Sequence, residues 1–392
     1  MRILYLIPEF PGQTHVLFWR DIEALRRHGH DVRLASTRRP ASPCPHAFAN
    51  EPCTWLWPYR RRDLREALGP GGARAALSAL RVAEGGGRER ARLLALVPAA
   101  VRLRRLVEEA AIDYVHGQSL AQSASVLRLA YEIRPFAYGL VLHSAIDGFG
   151  RNLRWKAERA RLLVGVTGAA MRDLRALGTG VDVATIACGV PLDRFVFRER
   201  EPGAALRLVT VARLHAGKGL GAVVEAVARL VSRYDLRYTI VGEGPWRPDL
   251  ERLVERHGLW DVVTLAGARD EAGIVEALHG ADLAVLASAA ETTAIFVREA
   301  MATGLPAIMS DVGDARLMID EGVEGFVVKP GDVAALEARI AWFCENPAAR
   351  AAMGRAARRR AERDFDAELG PRALLAALGH GAHAPLAAVA RA

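Results

Sequence analysis

Short apolar runs alternate along the chain with longer segments whose apolar residues fall three and four positions apart. The first run is Ile3 to Ile7. Val16 to Arg27 follows with Phe18, Ile22 and Leu25 in helical phase, Gly29 closes it, and Asp31 to Ala35 is the next run. Apolar runs of this length bounded by turn residues predict buried strands, and the three-four spacing predicts helices packed on them. The rhythm continues with strands at Ile112 to Val115, Phe136 to Leu142 and Leu163 to Thr167. After the charged stretch Arg198 to Gly203, which reads as an interdomain linker, it resumes. Strands are expected at Leu206 to Ala212, Arg237 to Val241, Val262 to Leu265, Asp282 to Ala287, Pro306 to Met309 and Gly325 to Val328. This alternation predicts an α/β chain with doubly wound parallel sheets. A length of 392 residues exceeds one core, so two Rossmann-like domains are expected, 1–197 and 204–365, with a helical tail 366–392 crossing back to the first.

Composition changes this picture in three places. Apolar content of 51% and charge of 25% are ordinary for a soluble globular chain. The net charge is +8, and the stretch from Trp55 to Ala110 holds twelve arginines against six acidic residues. Within it, Arg90 to Arg105 alternates aliphatic and arginine clusters at helical spacing, in a basic helical region spanning 60–107. One reading is an anionic membrane surface that also gathers a lipid acceptor; the other is a helix pair packed on the sheet with its arginines solvated. Nucleic acid is disfavoured, because the interleaving is aliphatic rather than aromatic. Lysine occurs only as Lys156, Lys218 and Lys329 among fifty arginines, so Lys218 in a Gly-rich loop looks selected for a compact charge. The cysteines Cys44, Cys53, Cys188 and Cys344 have no ligand spacing. Reduced thiols, the short apolar run at Met1 and the lack of a spanning-length run give a cytoplasmic expectation, peripheral on the inner membrane face in the first reading.

The candidate chemistry is densest after the strand at Asp282 to Ala287. A short loop carries Glu291 and leads into a helix from Ile295 to Ala302, stopped by Gly304 and bearing Glu299. Amides of Thr292, Thr293 and Ala294 at a helix start suit a diphosphate, and the carboxylates suit sugar and ribose hydroxyls. Arg213 and Lys218 share the loop after the strand at Leu206, placed to neutralise phosphates and a departing nucleoside diphosphate. His143 ends the strand at Phe136, and His116, an acceptor-side candidate, ends the strand before it. Gly12 lies in the loop after the first strand, which lacks a GxGxxG fingerprint. The plainer alternatives are a solvated pair, a solvated helix carboxylate, a capped turn histidine and a turn glycine. No metal or cofactor is expected: Asp364-Phe-Asp366, the one Asp-x-Asp, is far in sequence from the diphosphate loop.

Taken together, Arg213-Leu-x3-Lys218-Gly219, Val241-Gly-Glu-Gly-Pro245, Glu291-x7-Glu299-Ala-Met-Ala302-x-Gly-Leu-Pro306, Asp311-Val-Gly-Asp314 and Gly325-Phe-Val-Val-x-Pro-Gly-Asp332 resemble the retaining family-4 glycosyltransferases. Phe10-Pro-x4-Val-x3-Arg-Asp21-Ile, His143-Ser-Ala-Ile-Asp147, Cys188-Gly-Val-Pro-Leu-Asp193-x-Phe195 and Phe365-Asp366 are similar to the colanic acid and exopolysaccharide subgroup. The resemblance implies a GT-B fold, two domains facing a central cleft, the first on the acceptor side and the second holding a nucleotide sugar. It implies metal-free transfer with retention to a polysaccharide or lipid-linked acceptor. Glu299 would bind the ribose, Glu291 the donor sugar, Arg213 and Lys218 the diphosphate, and Gly12 would approach that diphosphate. His143 would lie against the sugar or its phosphate, with Asp147 orienting the loop. Two departures stand out: Thr292-Thr293 replaces the usual Gly after the first Glu, and Gly12-Gln13-Thr14 replaces Ser-Glu-Thr. A sugar-nucleotide epimerase of the same fold, which needs no acceptor, and a non-catalytic sugar-nucleotide-binding protein are the rival readings.

Overall fold

The computed structural model describes residues 1–392 apart from 13–15, 41–46, 83, 85, 187, 201–202, 204 and 380–392. Gln13, Thr14, Cys44 and the part of the expected tail from residue 380 on lie outside the described residues. The chain divides into two compact units, Met1–Ala187 with the chain from Gly370 on, and Cys188–Leu369.

In the first unit the strands are β1 (Arg2–Glu9), β2 (Asp31–Arg38), β3 (Cys53–Trp55), β4 (Tyr114–Gly117), β5 (Tyr138–Leu142), β6 (Leu162–Gly165) and β7 (Val183–Thr185). They form a parallel sheet in the order β3-β2-β1-β4-β5-β6-β7. The helices are α1 (Val16–Arg27), α2 (Arg61–Ala67), α3 (Pro70–Arg81), α4 (Gly86–Leu94), α5 (Val97–Glu109), α6 (Gln122–Ile133), α7 (Leu153–Ala157) and α8 (Gly168–Ala176). Parallel strands covered on both faces need continuous apolar runs, and Ile3 to Ile7 and Tyr138 to Leu142 are buried throughout.

The second unit repeats the plan with β8 (Leu206–Val211), β9 (Leu236–Val241), β10 (Val263–Gly267), β11 (Leu283–Leu286), β12 (Ala307–Ser310) and β13 (Gly325–Val328). Their order is β10-β9-β8-β11-β12-β13, all parallel. Around them stand α9 (Leu220–Leu230), α10 (Arg247–Arg256), α11 (Glu271–His279), α12 (Ile295–Ala302), α13 (Ala315–Met318), α14 (Val333–Glu345) and α15 (Pro347–Asp364). Two apolar clusters make this core, one under α9 and α14, the other under α12 and α15. The last helix, α16 (Leu369–Ala377), leads back into the first unit, where Arg161 donates to the Leu378 carbonyl at 2.9 Å.

Two expectations are corrected. The unit boundary falls at Ala187, not near 197, and Arg198 to Gly203 is not a free linker. Val190 donates to the Phe365 carbonyl at 2.7 Å, Phe195 is fully buried, and Arg200 is bonded to the carbonyls of Ala281, Leu278 and Thr303. The arginines of the basic stretch 60–107 do not all face outward either. Arg102 and Arg104 are buried, and Arg102, Arg104 and Arg105 pair with Asp63, Glu66 and Glu108. Burial opposes ionisation of Asp63, yet the bonds from Arg105 and the Arg60 amide, with the charge of Arg102, hold its carboxyl below the usual range.

Candidate functional site

Each sheet reverses its strand order once, between β1 and β4 and between β8 and β11. Ligand crevices in doubly wound sheets open at the carboxyl ends beside such a reversal. In the second unit the loops that emerge there are those carrying Arg213 and Lys218, after β8, and Glu291, after β11.

Arg213 is exposed, and the loop then tightens into a 3-10 helix, Ala216–Lys218, capped by His215, whose Nδ1 accepts from the Gly217 amide at 3.1 Å. Ala289, from the other loop, donates its amide to the Gly217 carbonyl at 2.9 Å. Across this seam Lys218 Nζ donates to Glu291 Oε1 at 2.5 Å, and Ser288 Oγ donates to the same oxygen at 2.7 Å. The Lys218 and Glu291 side chains are 29% and 12% exposed, open enough to exchange partners with an entering ligand. The approach depends on Gly219. Its φ is +66°, and a Cβ there would overlap the carbonyl of Ala287.

Neighbouring motifs act as buttresses. Leu214 donates to the Glu243 carbonyl at 3.0 Å and Trp246 to the Leu214 carbonyl at 3.1 Å, so the Gly-Glu-Gly-Pro245 turn clasps the Arg213 loop. Gly313, at φ +57°, lets the loop after β12 lie against the Glu291 carbonyl. Asp332 caps α14 by accepting from the Ala335 amide at 2.9 Å. Of the sequence pattern, these pieces position the site and Lys218 and Glu291 form it.

Helix α12 starts without a side-chain cap from Ala294, a buried non-glycine residue held at φ 37° and ψ 51°. Such a left-handed residue costs on the order of 1–2 kcal/mol. Among the described residues no carbonyl or side chain accepts from the amides of Thr292, Thr293 or Ala294, so three amide donors between Glu291 and α12 are open to a ligand. The Thr293 side chain is itself buried. Glu299 is 5% exposed. Its neighbour Arg298, also buried, donates to the Cys188 carbonyl at 2.6 Å and stacks 5.0 Å from the Phe365 ring. The structure thus places Arg213, Lys218, Glu291, Thr292, Thr293, Ala294 and Glu299 on adjoining loops and one helix of a single unit. Sequence reasoning missed Ser288, fully buried three residues before Glu291; a hydroxyl at the end of an otherwise apolar run was its only signal. It also missed the direct Lys218–Glu291 contact.

Gly12 and His143 belong to the first unit, at the carboxyl edge, after β1 and β5. His143 Nε2 hydrogen-bonds Gln118 Oε1 at 2.9 Å, and its ring lies 6.3 Å from that of Phe18. His116, an acceptor-side candidate by sequence, is buried between Tyr5 and Tyr114. Burial, and then the charge of His143, push its imidazole down to about 3, so it is a neutral core residue. Asp147 is exposed and its side chain makes no hydrogen bond among the described residues; Asp173 holds the loop there, accepting from the Ile146 amide at 3.1 Å.

Lys156 fastens the same loop from below. Its fully buried Nζ donates to the carbonyls of Leu120 at 2.9 Å and Phe149 at 3.1 Å. Burial, and then the Arg92 charge, push this amine down to about 8 against the pull of Glu89 and Glu84. Between that value and the usual 10.5 the unfolded chain holds a proton that the folded chain has released. The stability contributed by this group therefore rises with pH across that window, by at most about 1.4 kcal/mol per pH unit. Lys156→Met should flatten the wild-type rise in unfolding free energy between pH 8 and 10, as read by urea titration. Equal slopes in the two proteins would mean that the amine titrates at its ordinary value.

Residues 22–194 match the family Glycosyltransferase Family 4, and residues 193–360 match Glycosyl transferases group 1. The chain carries the two domains of a glycosyltransferase. This glycosyltransferase is 25% identical over 372 residues to the colanic acid biosynthesis glycosyltransferase WcaL of Salmonella typhimurium, covering 88% of this chain and 90% of that one. Anabaena Alr3699/HepE, solved in complex with UDP, superposes with a TM-score of 0.72 at 18% identity, over 97% of this chain and 100% of that chain. Sucrose-phosphate synthase from Thermosynechococcus elongatus gives 0.71 at 20%, over 95% and 96%. The fold of the glycosyltransferase is GT-B, two Rossmann-like parallel-sheet units.

Proposed function

We propose that this glycosyltransferase moves a sugar from a nucleoside diphosphate to a hydroxyl of a polysaccharide or lipid-linked acceptor, in the cytoplasm, with retention of anomeric configuration. The observation that carries the reading is the meeting of Lys218 and Glu291 at the β8/β11 reversal, with Ser288 fixing the carboxylate. A donor exchanges that ion pair for two of its own contacts: its diphosphate takes the Lys218 ammonium, with Arg213, and its sugar hydroxyls donate to Glu291. The amides at Thr292, Thr293 and Ala294 add donors to the phosphate, and Glu299 takes the ribose diol. Gly12 and His143, on the corresponding edge of the first sheet, are assigned to the phosphate and sugar groups of the transfer. The UDP held by the Anabaena neighbour supports a nucleotide ligand for this fold.

In the transfer the acceptor oxygen bonds the anomeric carbon on the face from which the phosphate leaves. The bond between that carbon and the phosphate oxygen breaks, and the acceptor proton passes to the departing phosphate. Lys218 and Arg213 stabilise the charge that builds on the diphosphate, so a metal is not required. A thermal-shift screen against UDP-, GDP- and ADP-sugars should give one class that raises Tm, because a ligand that binds only the folded state stabilises it. With that donor, the proton NMR spectrum of the product should show the donor's anomeric configuration, and EDTA should leave the rate unchanged. An inverted product or EDTA-abolished transfer would sink the retaining or the metal-free half of the reading.

A further inference from the structure

The outer faces of α2 and α3 have a composition that neither the fold nor the donor site uses. Ten large apolar side chains are exposed among the described residues, and Trp57, Leu64, Leu68, Leu77 and Leu80 fall within this one stretch of the first unit. Their exposure runs from 46% at Leu80 to 88% at Leu68. At 100° per residue, Arg61, Leu64, Arg65 and Leu68 share one face of α2, opposite the buried Asp63. Arg74, Leu77, Leu80 and Arg81 share one face of α3, opposite the buried Gly72, Ala75 and Ala79.

Charge is sorted across these helices. Asp63 and Glu66 are bound by Arg105, which comes from α5 beneath, and Arg102 adds to Asp63. The two acids of α2 are thereby neutralised, Glu66 also by the exposed Arg62 at 2.6 Å, and α3 carries none. Arg61, Arg65 and Arg81 stay exposed with no ion pair among the described residues. What faces outward is leucine and tryptophan interleaved with uncompensated guanidinium.

We infer that the outer faces of α2 and α3 dock this protein on an anionic lipid bilayer. The leucines and Trp57 enter the headgroup boundary while the arginines meet lipid phosphates. The pattern suits a bilayer because the apolar and cationic side chains alternate over two short helices, and apart from Trp57 the large exposed apolar residues here are leucines, not an aromatic ladder for nucleic-acid bases. Among the described residues no helix is long and apolar enough to cross a membrane, so the contact is with its surface. The inference stands apart from the donor chemistry: it concerns another face and is read without turnover.

The test is flotation of the full chain with vesicles of phosphatidylcholine alone or with three parts in ten phosphatidylglycerol. The wild-type protein should float with the anionic vesicles only, and less as salt rises. Joint replacement of Leu64, Leu68, Leu77 and Leu80 by Ser should weaken vesicle binding at least tenfold. Arg61→Glu with Arg65→Glu should do the same, and both should leave Tm and the donor-induced thermal shift unchanged. Equal flotation with neutral vesicles, none with either, or undiminished binding by the variants overturns the inference. So does binding of duplex DNA or self-association without lipid, if the same substitutions abolish it.

Discussion

Lys218→Ala should lower turnover about 100- to 1000-fold, the usual cost of removing one preorganised contact to developing charge. The ammonium is the compact cation of the site, held by Glu291 at 2.5 Å and partly open to solvent. Removing it takes away the group placed for the diphosphate and leaves Glu291, 12% exposed, with the Ser288 hydroxyl at 2.7 Å as its remaining side-chain partner among the described residues. Two comparisons separate chemistry from packing. Lys218→Arg should recover only part of the rate, because a planar fork does not fit where a point charge meets one oxygen. Arg213→Ala, at an exposed position, should cost less than Lys218→Ala. Tm should change little in all three, since exposed or half-exposed ion pairs contribute about 0–1 kcal/mol. Turnover equal to wild type in Lys218→Ala would remove the phosphate role altogether.

Gly219→Val should unfold the second unit several degrees earlier and abolish the donor-induced thermal shift. A side chain at φ +66° is strained by about 1–2 kcal/mol before any contact is counted. Here the added Cβ would also overlap the backbone of Ala287, which cannot rotate away as a side chain could. A loss of about 2–3 kcal/mol corresponds to roughly 4–12 °C in a domain of this size. The strand end that must yield leads into Ser288 and Glu291, so relief of the overlap opens the seam between Lys218 and Glu291. Differential scanning fluorimetry with and without nucleotide sugar reads both effects. A Gly219→Val protein with unchanged Tm and an intact donor shift would show that the close approach is not needed.

The strand-loop-helix around Glu291 was legible almost to the residue: the helix was expected at Ile295 to Ala302, and α12 spans Ile295–Ala302. Apolar runs, a short polar loop and Gly304 are local signals, and both sheets were read from such signals. What was not legible depends on partners distant in the chain. Cys53 to Trp55 forms β3 through its pairing with Leu34 to Ser36, and no strand is legible there because the three residues make no apolar run of their own. Arg102 and Arg105 look like a solvated or lipid-facing row until Asp63, about forty positions earlier, is seen to meet them inside the unit. Val190 and Phe195 have no periodicity of their own and join the second unit through Phe365 and α15. In the site, the residue types and their loops were readable, but the Lys218–Glu291 bond was not, because spacing along two loops does not state their distance.

The return of α16 to the first unit has a consequence for how the protein is made. A ribosome delivers residues 1–187 first, yet the segment that completes their unit begins at Gly370. The second unit, continuous from Cys188 to Leu369, is therefore synthesised whole before the first can be finished. Until then Arg161 waits for the Leu378 carbonyl, and a chain cut anywhere in the last helix leaves the older half, rather than the newer one, incomplete.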